Sequence, residues 1–289
     1  MQDVVLEHLK LVHFKNHAQA EFSFSPKLNA LVGANGSGKT SVLDAVHLLC
    51  MTRSYFQSSD AHCIQFDAPF FVVQGDFRGE GGTVPVYCGL QRGEKKVFKA
   101  DDASYPRISE HLGRFPVVMI SPDDHELLHG GSEPRRKFMD AVIAQSDRAY
   151  LDALQSYQRA LKQRNALLKY FAANRNFQAD MLELYDLQLA EFAPIVVAAR
   201  QRFAEQFAPM LHEAYRAISG GAEEVALRYD SVLIDRSMAE VLAERLPKDR
   251  VLQFTSAGPH REDLEFTLHG HPLQRVQRGP GAQLGELAG

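Results

Sequence analysis

A glycine-rich loop of eight residues constrains this chain more than any other feature. Residues Gly33–Thr40 read Gly-Ala-Asn-Gly-Ser-Gly-Lys-Thr and fill every fixed position of the phosphate-binding pattern G-x-x-x-x-G-K-[ST]. The apolar run Leu28–Val32 before it predicts a buried strand, and apolar residues at helical spacing over Ser41–Met51 predict a helix after it. A strand, a phosphate loop and a helix in this order indicate an α/β fold.

The chemistry of the loop follows from its small residues. They allow several backbone N–H groups to converge on one anion, with the positive end of a helix dipole behind them. Lys39 is expected to neutralise the β and γ phosphates of a nucleotide, and the Thr40 hydroxyl to bind Mg²⁺. The predicted nucleotide-binding residues are Gly33, Ala34, Asn35, Gly36, Ser37, Gly38, Lys39 and Thr40. A chance match in a glycine-rich turn is the alternative.

Bulk composition limits the kinds of partner and the cellular location. The 289 residues carry a net charge of −4, so any contact with DNA requires a local basic patch. Three separated cysteines without a C-x-x-C pair indicate reduced, buried thiols. No signal-peptide pattern opens the sequence and no run of about eighteen apolar residues occurs, so we expect a cytoplasmic protein without a membrane segment.

Strand patterns lie on both sides of a long helical region. Apolar residues recur every three or four positions from about 147 to 216, which predicts two long helices packed as a hairpin. Pro194 and Pro209 are expected to kink or break the second helix. The strands are predicted at Val4–Leu11, Ala20–Phe24, Asp67–Phe77, Thr83–Phe98, Phe115–Ile120, Val225–Tyr229 and Leu264–Leu268.

Basic residues occur where local rules disfavour them. Ser132 and Pro134 predict a helix start, yet Arg135, Arg136 and Lys137 lie in that first turn, where cations oppose the helix dipole. Either an anionic partner or a merely solvated turn explains them. The first arm of the predicted hairpin is also basic. These charges either pair with acidic residues across the hairpin or form a stripe that faces DNA. Our candidate DNA-phosphate contacts are Arg135, Arg136, Lys162 and Arg164.

Three stretches together resemble the RecF family, the DNA-repair branch of the ABC/SMC-type ATPases. They are the phosphate loop, Ile120–Asp124 leading into Gly131–Asp140, and Gly258–Leu264. The resemblance extends from about residue 3 to about residue 273. It implies an α/β fold, namely an ABC/SMC-like P-loop NTPase head with an inserted helical, coiled-coil-like second lobe. The implied divisions are 1–146 and 218–273 for the head, 147–217 for the lobe, and 274–289 for an atypical tail.

The same resemblance implies a function. It predicts ATP and Mg²⁺ as ligands, an ATP-dependent homodimer on double-stranded DNA at single-strand gaps, and slow ATP hydrolysis. RecO, RecR and RecA are the implied partners, in DNA repair, replication restart and the SOS response. It also places Lys15, Asn16 and Asp123 near the nucleotide. No residue is assigned a catalytic role.

The sequence departs from the family pattern after Leu273. A Ser-x-Gly-Gln-Gln signature loop, an apolar strand ending in acidic residues and a switch histidine are missing. Val232–Asp235 and Asp123 are poor substitutes for the acidic strand. We therefore expect a truncated or frame-shifted product, and the alternative function is a catalytically inactive ATP-binding module. A P-loop kinase or GTPase would need motifs that the sequence lacks.

Overall fold

The structure is a computed structural model that describes residues 4–273. They form two compact units divided between Met119 and Ile120, which we call the first and the second unit. The predicted boundaries at 146/147 and 217/218 remain predictions, and the prediction for residues 274–289 lies outside the described residues. No helix in residues 4–273 is long and apolar enough to cross a membrane.

The first unit is built on a six-stranded antiparallel sheet with the order β2-β1-β3-β4-β5-β6. One α-helix, α1, follows the phosphate loop at Lys39–Met51, and 3₁₀ turns lie at Asp60–Cys63 and Ile108–His111. The predicted early strands and hairpins are confirmed. The strands are β1 (Val5–Phe14), β2 (His17–Ser23), β3 (Phe70–Gly79), β4 (Gly82–Gln91), β5 (Val97–Ala100) and β6 (Ala103–Ser104).

The core of the first unit follows from the alternation of side chains along these strands. Leu9 and Leu11 of β1 and Phe71 and Val73 of β3 are all at most 1% exposed, because every second residue of a strand points to the same face. Helix α1 packs against β1 and β3, and its Leu48 is also fully buried. Cys50, Cys63 and Cys88 are free and buried, as predicted.

Two segments predicted as buried strands are largely exposed instead, although Phe115 at the start of the second is buried. Leu28 and Val32 are 86% and 89% exposed, and Val118 and Ile120 are 77% and 83% exposed. Neither segment is a strand, because no strand in residues 4–273 pairs with it. A strand is stable only when its backbone groups find hydrogen-bond partners in a sheet. An apolar sequence alone therefore does not determine that a segment forms a strand.

The second unit consists of helices and a small antiparallel sheet with the order β7-β8-β9. A 3₁₀ turn at Pro122–His125 precedes the first helix. The helices are α2 (Glu126–His129), α3 (Ser132–Ile143), α4 (Arg148–Asn174), α5 (Asp180–Ser219) and α6 (Met238–Leu252). The strands are β7 (Val225–Asp230), β8 (Asp263–Leu268) and β9 (His271–Pro272).

The predicted helical hairpin is confirmed as α4 and α5. Leu182, Leu189 and Val196, which carry the seven-residue repeat, are at most 1% exposed. The prolines do not break the second arm, since α5 continues through both Pro194 and Pro209, and a kink at either position remains a prediction. A helix-interior proline costs about 3 kcal/mol. The packing of α5 against α4 and β7 along its length offsets this cost.

Candidate functional site

The phosphate loop adopts a backbone that only glycine accommodates easily. Gly36 and Gly38 have φ of 80° and 94°, in the left-handed region that residues with a Cβ rarely enter. Gly38 is also the N-cap of α1, and a Cβ there would overlap the His17 imidazole. The glycine spacing therefore turns the chain directly into the helix.

The loop presents backbone donors to a common region. Ser37 N–H donates to Ala34 O at 3.2 Å, and the first bond of α1 runs from Val42 N–H to Gly38 O at 3.1 Å. Within residues 4–273, the N–H groups of Lys39 and Thr40 have no backbone acceptor. Free N–H groups at a helix N-terminus, together with the helix dipole, attract an anion. This arrangement fits a phosphate group.

Lys39 places a positive charge over the same loop. Its Nζ donates to Gly33 O and to Ala34 O, each at 2.8 Å. Both contacts are exposed bonds to neutral carbonyls, so an anionic ligand competes with them easily. Thr40 is exposed at the start of α1, as a Mg²⁺ ligand on a bound nucleotide requires. Both placements are compatible with the predicted roles.

The turn between β1 and β2 holds the phosphate loop from behind. Asn16 Nδ2 donates to Gly36 O at 2.9 Å, and Ser41 Oγ donates to Asn16 Oδ1 at 2.8 Å. His17 Nε2 lies 3.1 Å from Gly38 O, and because a carbonyl only accepts, this nitrogen carries the proton. The structure thus brings Asn16 to the loop, and its contact with the nucleotide remains a prediction. The support from His17 and Ser41 was missed, since no local motif marks it.

Lys15 points toward a buried carboxylate rather than toward the loop. Its Nζ lies 2.6 Å from Asp44 Oδ2, and the Asp44 side chain is fully buried. Asp44 also accepts from Ser54 Oγ and from Tyr55 N–H, each at 2.7 Å. The buried carboxylate ties α1 to the segment that follows it. A contact between Lys15 and the nucleotide remains a prediction, and it would require release of this ion pair.

Asp123 lies in the second unit, in the 3₁₀ turn that follows Ser121. The start of this turn is held by Ser121 N–H, which donates to Asp124 Oδ2 at 2.7 Å. The Asp123 side chain is exposed. Its proposed position near the nucleotide stays a prediction.

Arg135 of the basic turn is a structural residue. It is 1% exposed, and its Nε and Nη2 donate to the two oxygens of Asp263 at 2.7 and 2.8 Å. Its Nη1 donates to Leu127 O and Gly130 O. Arg136 is half-buried and donates to Glu262 O at 2.7 Å, and burial lowers its pKa. Arg135 is thus inaccessible to DNA, and we no longer propose it as a DNA-phosphate contact.

Arg164 is also buried, whereas Lys162 is exposed on the same helix. The Arg164 guanidinium is fully buried and bonds Asp186 at 2.6 Å, Asp249 at 2.7 Å and Thr255 at 2.9 Å. The charge-pairing interpretation of the basic arm therefore holds for Arg164, and its prediction as a DNA contact is likewise dropped. Lys162 remains a candidate for DNA.

Most of the stretch Gly258–Leu264 is buried within the second unit, whereas its Arg261 is exposed. Gly258 has a φ of 120°, and a Cβ there would come within 2.6 Å of the Tyr157 hydroxyl. His260 donates from Nε2 to Thr255 O at 2.9 Å and accepts at Nδ1 from Tyr157 at 2.7 Å. Burial lowers the pKa of His260 to about 4. The second family stretch joins it through Arg200, which bonds Asp140 at 2.8 Å and Pro259 O at 2.6 Å.

Comparison with known proteins agrees with this geometry. The family model for the RecF/RecN/SMC N terminal domain matches residues 5–68, which include the phosphate loop. The DNA replication and repair protein RecF of Flavobacterium johnsoniae is 42% identical over 270 residues, 93% of this chain and 75% of that protein. RecF of Parabacteroides distasonis is 41% identical, over 94% of this chain and 74% of that protein.

Solved structures give the same result. A structure described as the recombination mediator protein RecF-ATP in the RecFOR pathway matches with a TM-score of 0.89 and 27% identity, covering 97% of this chain and 76% of that one. The fold is therefore that of an α/β P-loop ATPase head of the ABC/SMC type. Within that class, the chain belongs to the RecF family. It spans about three quarters of the length of these relatives.

Proposed function

We propose that this protein binds ATP with Mg²⁺ and acts in RecF-type recombinational DNA repair and replication restart. One observation carries the proposal: within residues 4–273 the N–H groups of Lys39 and Thr40 at the N-terminus of α1 have no backbone acceptor, and the Lys39 ammonium lies over the same loop. Asn16 and His17 hold this loop in place. The relative with the same fold was solved with ATP. Thr40 supplies the Mg²⁺ ligand.

The partners are also proposed from the family. We place the protein on double-stranded DNA at single-strand gaps, as an ATP-dependent homodimer in its complete form. There it promotes RecA loading with RecO and RecR and contributes to SOS induction. The curated relatives are named DNA replication and repair proteins, and the structural relative is described within the RecFOR pathway. These names support the assignment.

An ATP-binding module without hydrolysis is the second candidate, and one observation favours it. The apolar stretch Val232–Asp235 that comes nearest to an acidic strand is not a strand, and Val232 and Ile234 are 51% and 47% exposed. Phosphoryl transfer requires groups that position Mg²⁺ and water, in addition to the loop. Among residues 4–273 we identify the phosphate loop but no acidic strand that would position Mg²⁺ and water.

Calorimetric titration of ATP and Mg²⁺ tests nucleotide binding. The wild type should bind one ATP, and Lys39→Ala should weaken binding about tenfold or more, because a charge-assisted bond contributes about 1.5–3 kcal/mol. Lys27→Ala is a matched control, since Lys27 is exposed and lies outside the loop. A folded wild-type protein that produces no binding heat would refute the proposal.

Turnover separates the two candidates. The ATPase proposal expects slow phosphate release that duplex DNA stimulates and that Lys39→Ala abolishes. The binding-module proposal expects calorimetric ATP binding with phosphate release no faster than that of the Lys39→Ala protein. Both measurements use the same preparation, so inactive material cannot imitate the second result.

A further inference from the structure

A basic cavity in the second unit lies outside the phosphate loop and outside the candidate contacts discussed above. Its volume is about 290 Å³, and three segments enclose it: the β7–α6 connection, one face of α6, and the loop that leads to β8. We call it the basic cavity. Its lining includes Val241, Arg236, Arg245, Lys248, Ser256 and Arg261.

Positive charge dominates this lining. Four cationic side chains, from Arg236, Arg245, Lys248 and Arg261, line it together with two acidic residues, Asp230 and Glu262. The carboxylate of Glu262 is turned into the protein, where it accepts hydrogen bonds from Tyr229 and Ser231. Burial also raises the pKa of Glu262. The excess of cations therefore faces the cavity.

The charges are brought together by the fold rather than by sequence proximity. Val241, Arg245 and Lys248 are spaced by four and three residues, so they lie on one face of α6. Val241 is 2% exposed and forms an apolar floor beneath the two charges. Arg261, from the loop that leads to β8, also lines the cavity and stacks on Phe254, with 4.7 Å from its guanidinium carbon to the ring centroid.

The wall formed by Ser256 is fixed by buried groups. Both the N–H and the hydroxyl of Ser256 donate to Asp249 Oδ1, at 2.9 and 2.6 Å. Asp249 is fully buried and paired with Arg164. A rigid wall lowers the ordering cost of binding, so the cavity is preorganised.

The cationic side chains are available to a ligand. In residues 4–273, no carboxylate lies within ion-pair distance of Lys248. Arg236 and Arg245 share one exposed carboxylate, Glu244, at 2.6 and 3.7 Å. Exposed pairs of this kind contribute at most about 1 kcal/mol, so an anion can displace them.

The volume of the cavity limits the size of the group that it can bind. Sites for whole small molecules begin at about 300 Å³, so this cavity suits one anionic group whose parent molecule remains outside. Arginine binds phosphate through paired N–H donors, and three of the four cations are arginines. We propose that the basic cavity binds a backbone phosphate of double-stranded DNA. This assignment rests on the proposed DNA-repair function and supplies a contact surface for it.

The salt dependence of DNA binding tests this site. Affinity for a labelled duplex is measured by fluorescence anisotropy over a range of salt concentrations, with ATP and Mg²⁺ present. Lys248→Gln and Arg245→Gln should each weaken DNA binding, and the double variant should reduce the slope of log K against log salt by about one, because one bound phosphate releases about one counterion. Lys248→Arg should restore the slope. Lys169→Gln removes an equal charge from an exposed position on α4 and should leave the slope unchanged.

Each alternative outcome has a distinct meaning. If the wild type binds DNA and the cavity variants keep its slope, the basic cavity is not a DNA site, although the proposed function stands. If the wild type binds ATP but no DNA, the DNA part of the proposed function fails together with this inference. If the cavity variants lose binding to polyglutamate while their DNA affinity is unchanged, the cavity binds an acidic protein partner and the proposal is overturned.

Discussion

Basic residues lie in different surroundings in the two units: Lys39 belongs to the phosphate loop of the first unit, and Arg135 and Arg164 belong to the helices of the second. Lys39 is held by two bonds to exposed carbonyls, and the segment before its loop is largely exposed. Arg164 and Arg135, by contrast, are buried and bonded to carboxylates at several positions. Lys39 is therefore available to the proposed ligand, whereas Arg135 and Arg164 stabilise the fold.

The largest effect is expected from Arg164→Met. Removing the guanidinium leaves Asp249 buried without its partner, which typically costs about 3–5 kcal/mol. Urea unfolding followed by far-UV circular dichroism should show this loss. Lys162→Met, two residues away and exposed, should change the free energy of unfolding by less than about 0.5 kcal/mol. Equal effects of the two substitutions would remove the distinction between the two kinds of basic residue.

A pH effect of somewhat smaller size is expected from His260. Burial lowers its pKa to about 4 in the folded protein, whereas an unfolded histidine titrates near 6.5. Between these values the unfolded chain binds a proton that the folded chain does not, so stability falls as the pH drops from about 6.5 to 4. The loss can reach about 3 kcal/mol.

His111 provides the comparison for that experiment in the first unit. Its pKa is also lowered to about 4 by burial, and its ring contacts Tyr105 at 2.9 Å and Leu49 O at 2.7 Å. Hydrogen exchange resolves the two units separately. His260→Gln should flatten the pH dependence only in the second unit, and His111→Gln only in the first. An unchanged pH dependence in both variants would exclude buried histidines as its cause.

A smaller effect on stability is expected from Lys39→Ala. Its two acceptors are exposed carbonyls that water can satisfy, so the free energy of unfolding should change by less than about 1 kcal/mol. The same substitution should abolish most ATP binding. The pair of measurements, urea unfolding and calorimetry, would contradict a ligand-binding role if stability fell and ATP affinity did not.

The success of the sequence predictions differs between the two regions. The phosphate loop, the antiparallel strands and the helical hairpin could be predicted, because their signals are local spacings of glycine or apolar residues. The bonds from Asn16 and His17 to the phosphate loop carry no local sequence signal, and the family resemblance indicated only that Asn16 lies near the nucleotide. Family membership and the ATPase-head fold are confirmed by the comparisons.

The errors arise where a partner distant in sequence decides the outcome. Arg135 and Arg164 resemble phosphate contacts in sequence, and only the fold brings Asp263 and Asp249 to them, 128 and 85 residues away. Leu28–Val32 has the composition of a strand but no pairing strand in the described chain. Local patterns do not contain this information.

The smallest effect is expected where the strand prediction was wrong. Leu28→Ala should change the free energy of unfolding by less than about 0.5 kcal/mol, because the side chain is 86% exposed. The identical substitution at Leu11, which is fully buried in β1, should cost about 2–5 kcal/mol. Urea unfolding of both variants under the same conditions gives the comparison. A cost above about 1 kcal/mol for Leu28→Ala would show that this segment is covered in solution. The phosphate loop would then be supported by a buried segment, as Arg135 and Arg164 are held by buried partners, and the contrast between the two regions would disappear.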